Sequence, residues 1–123
     1  MKYTAFLVLL FIVPAFPAYA DYADVIEADI KYEGDSRYTF FVTVSHKDTG
    51  WDHYADRWEI LTLDDEVITG RVLRHPHVGQ QSFTRPLHFV SLPDDISQVK
   101  IRAHCTRDGF GGKTMEIGLP ERR

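Results

Sequence analysis

The chain has 123 residues, of which 44% are hydrophobic and 13% aromatic, and its formal net charge is −4. This apolar content is sufficient for the core of one domain of ordinary size. The acidic balance argues against nucleic-acid or anionic-membrane binding, which requires a basic stripe. We therefore expect one folded domain without a nucleic-acid partner.

Residues 1–20 have the three parts of a secretory signal peptide. Lys2 supplies the positive charge, residues 5–13 form a short apolar run, and the A-Y-A sequence ending at Ala20 is a cleavage site. A membrane span needs about 20 apolar residues, so the short run predicts export rather than a transmembrane anchor. We expect a mature chain of residues 21–123 in the periplasm or the medium. The residue directly after the cleavage site is Asp21 and not a cysteine, so a lipid anchor there has no acceptor.

The mature chain is dominated by period-two alternation of apolar and polar residues, which is typical of strands. Trp58 and Ile60 are expected to face the core. We predict an all-β fold, a seven-stranded antiparallel β-sandwich. The predicted strands cover approximately residues 24–32, 38–45, 57–63, 67–74, 86–92, 98–105 and 113–119.

Cys105 is the only cysteine, so no intramolecular disulfide is expected. It continues the series Val99, Ile101, Ala103 of the sixth predicted strand, and alternation therefore places its thiol on the apolar face. A free cysteine often behaves as a small buried hydrophobic residue. We expect a structural role rather than a reactive or metal-binding thiolate.

The strand order resembles that of fibronectin type III and other immunoglobulin-like domains. The resemblance rests on the inward-facing Trp58, the alternating sixth strand and the glycine-rich bend at residues 108–112. The Cys…Trp…Cys framework of true immunoglobulin domains is absent. A jelly roll or a small barrel is the alternative.

Three connections of this sandwich are long and rich in polar and aromatic residues, at 48–56, 75–85 and 107–112. In an up-and-down order, alternate connections lie at the same end, so we expect these three loops to converge. Functional residues on a rigid scaffold commonly lie in such loops. The opposite end has short turns only.

Histidines and carboxylates in these loops are candidate ligands for copper or zinc. His75 and His77 are two residues apart, so their rings project to the same side of an extended backbone, and His53 or His46 would complete the site. The alternative is that His75 and His77 bond loop carbonyls or pack on neighbouring aromatic rings. The candidate metal ligands are His75, His77, His53, His46 and Asp52.

The same loops carry aromatic and adaptable polar residues, which are common at binding surfaces. They predict a site for a protein or a small ligand, on a chain that is a monomer or a weak dimer. The alternative is that Trp51 and Tyr54 fold back over the core. The candidate partner-binding residues are Trp51, Tyr54, Phe83, Arg85 and Phe110.

Catalysis has less support than binding. Ser45 and Ser82 lack the Gly-x-Ser-x-Gly context of an activated serine, and His104 and Cys105 point to opposite faces of their strand. The sequence therefore favours an exported binding or interaction module that uses the three loops, with a periplasmic transition-metal-binding protein as the alternative.

Several segments resemble a family of small exported bacterial proteins without an assigned function. They are DTGWDHYADRWE (48–59), HPHV (75–78), FTR (83–85) and GFGGKT (109–114). The resemblance implies a stable exported domain and transfers no activity.

Overall fold

The computed structural model describes residues 19–123. Most of the predicted signal peptide therefore lies outside the described residues. The described part of the chain contains seven strands and no helix. The strands are β1 (Asp24–Gly34), β2 (Arg37–Ser45), β3 (Ala55–Leu61), β4 (Val67–Val72), β5 (Ser82–Ser91), β6 (Gln98–Cys105) and β7 (Met115–Gly118).

The strands form two antiparallel sheets, one with the order β1-β2-β5 and the other with the order β4-β3-β6-β7. Alternate residues of each sheet form a common core, which confirms the sandwich-like all-β architecture. Trp58 and Ile60 face inward and are fully buried, as predicted. The thiol of Cys105 is also buried.

The fifth strand begins earlier than predicted, at Ser82 rather than near Pro86. Phe83 pairs with Val44 and Arg85 pairs with Val42, so both lie on the strand and not in a loop. Pro86 is tolerated inside β5 because this strand is at the edge of its sheet, where a missing N–H costs no ladder bond. The predicted 75–85 loop is therefore shortened to residues 73–81.

The other predicted boundaries differ by a few residues. β3 begins and ends two residues earlier than predicted, and β7 is reduced to Met115–Gly118. A turn at the end of β3 explains its early end, because Thr62 N–H donates to Glu66 O at 2.8 Å and Asp65 N–H donates to Thr62 O at 3.0 Å.

The three loops meet at one end of the sandwich, as predicted. The amide of His77 donates to Asp48 Oδ2 at 2.8 Å, joining the loop after β4 to the loop after β2. The amide of Thr106 donates to Tyr54 O at 3.0 Å, joining the loop after β6 to the same central loop. Residues 21–23, which precede β1, also lie at this end, and the sequence did not predict their presence.

Candidate functional site

Asp48 organises the loop-rich end, although its carboxylate is buried. Its Oδ1 lies 2.6 Å from His46 Nδ1 and accepts the Ala55 amide at 2.9 Å. Its Oδ2 accepts the amide of His77 at 2.8 Å. A carboxylate can only accept, so His46 carries a proton on Nδ1 and directs Nε2 away from Asp48.

His46 Nε2 points into a buried group of potential metal ligands, which we call the His–His–Cys cluster: His46, His53 and Cys105. The two Nε2 atoms are 3.2 Å apart and their rings meet edge to face. One ligand atom from each of the three residues lies within 4.8 Å of the other two. All three side chains are buried. The strand ends bring them together, because His46 follows β2, Cys105 ends β6 and His53 precedes β3.

Asp21 and Asp108 border the cluster. The Asp21 carbonyl oxygen lies 3.0 Å from His46 Nε2 and accepts a hydrogen bond from Cys105 Sγ at 3.5 Å. The Asp108 amide donates to Cys105 Sγ at 3.4 Å, and Asp108 Oδ2 lies 3.4 Å from His53 Nε2. The Asp21 amide donates to Asp108 Oδ2 at 3.0 Å and, with Arg107 and His53 adding smaller effects, lowers the pKa of Asp108.

The predicted His75 and His77 pair lies beside this cluster but does not belong to it. His75 is exposed, and its Nδ1 lies 3.2 Å from the Pro76 carbonyl oxygen. His77 is buried and stacks on Phe83 with ring centroids 4.0 Å apart. Its Nε2 accepts from Arg85 at 2.9 Å. Both residues therefore make the kind of loop contacts that the sequence offered as the alternative to metal binding.

Burial lowers the pKa of His77, and the positive charge of Arg85 and the neighbouring His75 lower it further. Since Arg85 can only donate, the neutral ring of His77 accepts at Nε2 and carries its proton on Nδ1. Nδ1 is buried without a hydrogen-bond partner among the described residues. Protonation of Nε2 would break the hydrogen bond from Arg85, so these contacts favour the neutral form of His77.

The other predicted site residues have different environments. Asp52 is exposed, and its backbone oxygen accepts a hydrogen bond from Thr106 Oγ1 at 3.2 Å. Trp51 is 69% exposed and contacts half-buried Tyr54 edge to face, so it does not fold over the core. Phe83 is 6% exposed and belongs to the core. Its ring therefore has little exposed area to offer a partner, and its role in partner binding stays a prediction.

Phe110 forms a small polar–aromatic group on the outer face of the second sheet. The guanidinium of Arg102 lies 3.8 Å from its ring centroid, and that of Arg57 lies 5.2 Å away. His104 meets the ring edge to face and hydrogen-bonds Asp56 at 2.5 Å. This group shares no residue with the His–His–Cys cluster.

A groove of about 470 Å³ lies between the loop after β2 and the loop after β4. Val78 at its edge is 63% exposed, and the groove has two glutamines on one wall. Its lining residues are Lys47, Asp48, Thr49, Val78, Gly79, Gln80 and Gln81.

Sequence reasoning missed four residues of this end: Asp21, Asp48, Cys105 and Asp108. The alternation of β6 predicted that Cys105 is buried, and this is correct. Cys105 is also the last residue of β6, so it lies at the end of the sandwich where the loops meet. That position in the sequence could have identified it as a candidate site residue. The contacts of Asp21 depend on how residues 21–23 cross the sandwich, for which the sequence has no signal.

Comparison with known proteins gives one informative relative. The chain is 33% identical over 95 residues to a "Putative lipoprotein" of Halomicrobium mukohataei. The match covers 77% of this chain and 46% of the relative, so the chain spans about half the relative's length. No family model and no solved structure matches the chain. Within residues 19–123, no helix is long and apolar enough to cross a membrane.

Proposed function

We propose that this chain is an exported β-sandwich domain, of immunoglobulin-like or fibronectin type III-like arrangement, that binds copper or zinc at the His–His–Cys cluster. Export is supported by the signal-peptide pattern of residues 1–20 and by the relative's name, "Putative lipoprotein". The immunoglobulin-like arrangement is supported by the sheets of three and four strands packed around Trp58.

The observation that carries the metal proposal is the approach of His46 Nε2 and His53 Nε2 to 3.2 Å beside a buried thiol. Two ligands of a tetrahedral ion with bonds of ~2.0–2.1 Å are separated by roughly 3.3 Å. The two imidazoles therefore have the spacing of ligands on one ion. Imidazole and thiolate together select copper or zinc over magnesium or calcium.

The surroundings of the ligands support the same reading. Metal-bound histidines usually donate their other ring N–H to a carboxylate, as His46 does to Asp48. The amide of Asp108 donates to Cys105 Sγ, which would stabilise a thiolate. His46 Nε2 faces both a carbonyl oxygen and a second imidazole nitrogen. With its proton on Nδ1, neutral His46 has a lone pair at Nε2, which suits a contact with a metal ion and not one with a carbonyl oxygen.

This ligand set differs from the one the sequence suggested. It keeps His46 and His53, adds Cys105, and leaves out His75, His77 and Asp52. His77 Nε2 is already bonded to Arg85, and Asp52 is exposed.

The test is metal stoichiometry of the exported protein, with and without single ligands. Elemental analysis and titration with Cu⁺ and Zn²⁺ should give one ion per chain, which is lost in His53→Gln and in Cys105→Ala. Matched controls are His75→Gln and His88→Gln, both at exposed positions, which should keep the ion. Absence of a stoichiometric ion, or loss with His75→Gln rather than His53→Gln, would contradict the proposal.

A second candidate function is recognition of a protein or a small ligand at the groove between residues 47–49 and 78–81. Two exposed apolar side chains favour this function: Trp51, which lies two residues after the 47–49 wall of the groove, and Val78, which lines the groove. Aromatic residues are enriched among the residues that contribute most to binding at interfaces. Cross-linking in the native host should give a product that Trp51→Ala and Val78→Ser abolish. Phe89→Ser, at a 60% exposed position elsewhere, is the control that should keep it. An unchanged product in Trp51→Ala would refute the assignment.

A further inference from the structure

Residues 21–24 cross the loop-rich end next to the His–His–Cys cluster, and we call them the N-terminal strap. Ala23 is 1% exposed. The strap is bonded at both ends, because the Asp21 amide donates to Asp108 Oδ2 and Asp24 Oδ1 accepts the Lys113 amide at 2.7 Å. The next residue, Val25, donates its amide to Lys113 O at 2.8 Å.

The strap lies directly on the backbone of the glycine-rich loop. A Cβ atom at Gly112 would lie 2.0 Å from Ala23 O, and a Cβ atom at Gly111 would lie 2.6 Å from the Tyr22 ring. Real Cβ atoms do not approach this closely, so the two glycines are what allow the strap to sit here. The position of Asp21 is therefore set by the loop and not by the strap alone.

Asp21 brings oxygen atoms close to two members of the cluster, His46 and Cys105. Its carbonyl oxygen is 3.0 Å from His46 Nε2 and 3.5 Å from Cys105 Sγ, and its Oδ2 is 3.8 Å from His46 Nε2. With bonds of ~2.0–2.1 Å to oxygen and nitrogen and ~2.3 Å to sulfur, the corresponding edges of a tetrahedron are about 3.3 and 3.6 Å. We infer that Asp21 supplies the fourth ligand of the metal ion, through its backbone carbonyl, and that the strap closes the site.

This inference rests on the proposed metal site and adds its closure. Two histidines, one cysteine and a backbone oxygen form a donor set that copper uses in proteins. Asp21 is also the first residue after the predicted cleavage site. Cleavage would turn its amide into an ammonium group facing Asp108 Oδ2, and charge-assisted bonds of this kind are roughly twice as strong as neutral ones. Removal of the signal peptide would then tighten the strap over the ion.

The experiment compares two matched pairs of variants in the exported protein. Gly112→Ala displaces the strap, whereas Gly118→Ala adds a Cβ with nothing within 4 Å. Asp108→Asn weakens the anchor of Asp21, whereas Asp29→Asn removes one exposed charge from β1. The measurements are the Cu⁺ and Zn²⁺ affinities by competition with a chelator and the melting temperature without metal.

Gly112→Ala and Asp108→Asn should each bind roughly 10–100-fold more weakly than their controls, the loss usual for groups that position metal ligands. A variant with Gly-Ser added before Asp21 should also bind more weakly than the cleaved form. Unchanged affinity in Asp108→Asn and in the extended form overturns the closure and leaves the His–His–Cys site standing. Absence of a bound ion in every form overturns both proposals. If Gly112→Ala lowers the melting temperature by more than Gly118→Ala, its weaker binding could come from unfolding. The affinities of Asp108→Asn, of Asp29→Asn and of the extended form then decide whether the strap closes the site.

Discussion

Asp48→Asn tests whether one buried carboxylate holds the loop-rich end together. Asp48 accepts three bonds, from His46 Nδ1, from the Ala55 amide and from the His77 amide. The asparagine side chain can keep the first two only by placing its oxygen at the Oδ1 position. Its amide group then faces the His77 N–H, so two donors oppose each other.

The expected cost follows from that arrangement. Hydrogen bonds to charged groups contribute about 1.5–3 kcal/mol, and a buried donor left without a partner costs about 1–3 kcal/mol. Because the two effects overlap at His77, we expect a loss of about 2–4 kcal/mol in the free energy of unfolding. The measurement is the urea midpoint of the metal-free protein at pH 7. Asp52→Asn, in the same loop but exposed, is the control and should change stability by less than about 0.5 kcal/mol. Equal midpoints for the two variants would refute the organising role of Asp48.

Three further predictions use other residues of this end. Phe83→Ala should lower the free energy of unfolding by about 3–5 kcal/mol because its ring is buried, whereas Trp51→Ala, at an exposed position, should change it by less than about 0.5 kcal/mol. Urea unfolding measures both values, and similar losses for the two variants would contradict the assigned burial. The pKa of His77 in the folded protein lies below its ordinary value of 6.5. The contribution of His77 to stability is therefore present above pH 6.5 and falls as the pH drops below that value, by at most about 1.4 kcal/mol per pH unit. His77→Gln should flatten the stability profile between pH 7 and 5, and a slope equal to that of the parent would count against this. The thiol of Cys105 should resist alkylation in the folded protein and react on unfolding, because it is 0% exposed; rapid reaction of the native protein would show that the cluster is open.

The alternation of apolar residues was enough to predict the strands but not all their ends. β6 matches the prediction at both ends because Val99, Ile101, Ala103 and Cys105 form an uninterrupted series. The start of β5 was missed because Pro86 resembles a strand boundary, and only the edge position of β5 makes that proline harmless.

The loop-rich end and two of the proposed ligands, His46 and His53, could be predicted, but Cys105 and the exclusion of His75 and His77 could not. Antiparallel connectivity places alternate loops at one end whatever their sequence, so the convergence followed from the strand count. Which side chains turn inward depends on contacts that are distant in sequence, such as Asp48 with His77. The histidine pair at 75 and 77 was the more visible pattern, yet His75 contacts the Pro76 carbonyl oxygen and His77 contacts Arg85 and Phe83, and neither joins the cluster.

The central claim is that His46, His53 and Cys105 share one ion, and an X-ray absorption spectrum of the purified protein loaded with one equivalent of Zn²⁺ or Cu⁺ tests it most directly. The account predicts one sulfur ligand at ~2.3 Å and two imidazole nitrogens at ~2.0–2.1 Å from the metal. A spectrum with no sulfur ligand, or one left unchanged by Cys105→Ala, would contradict it.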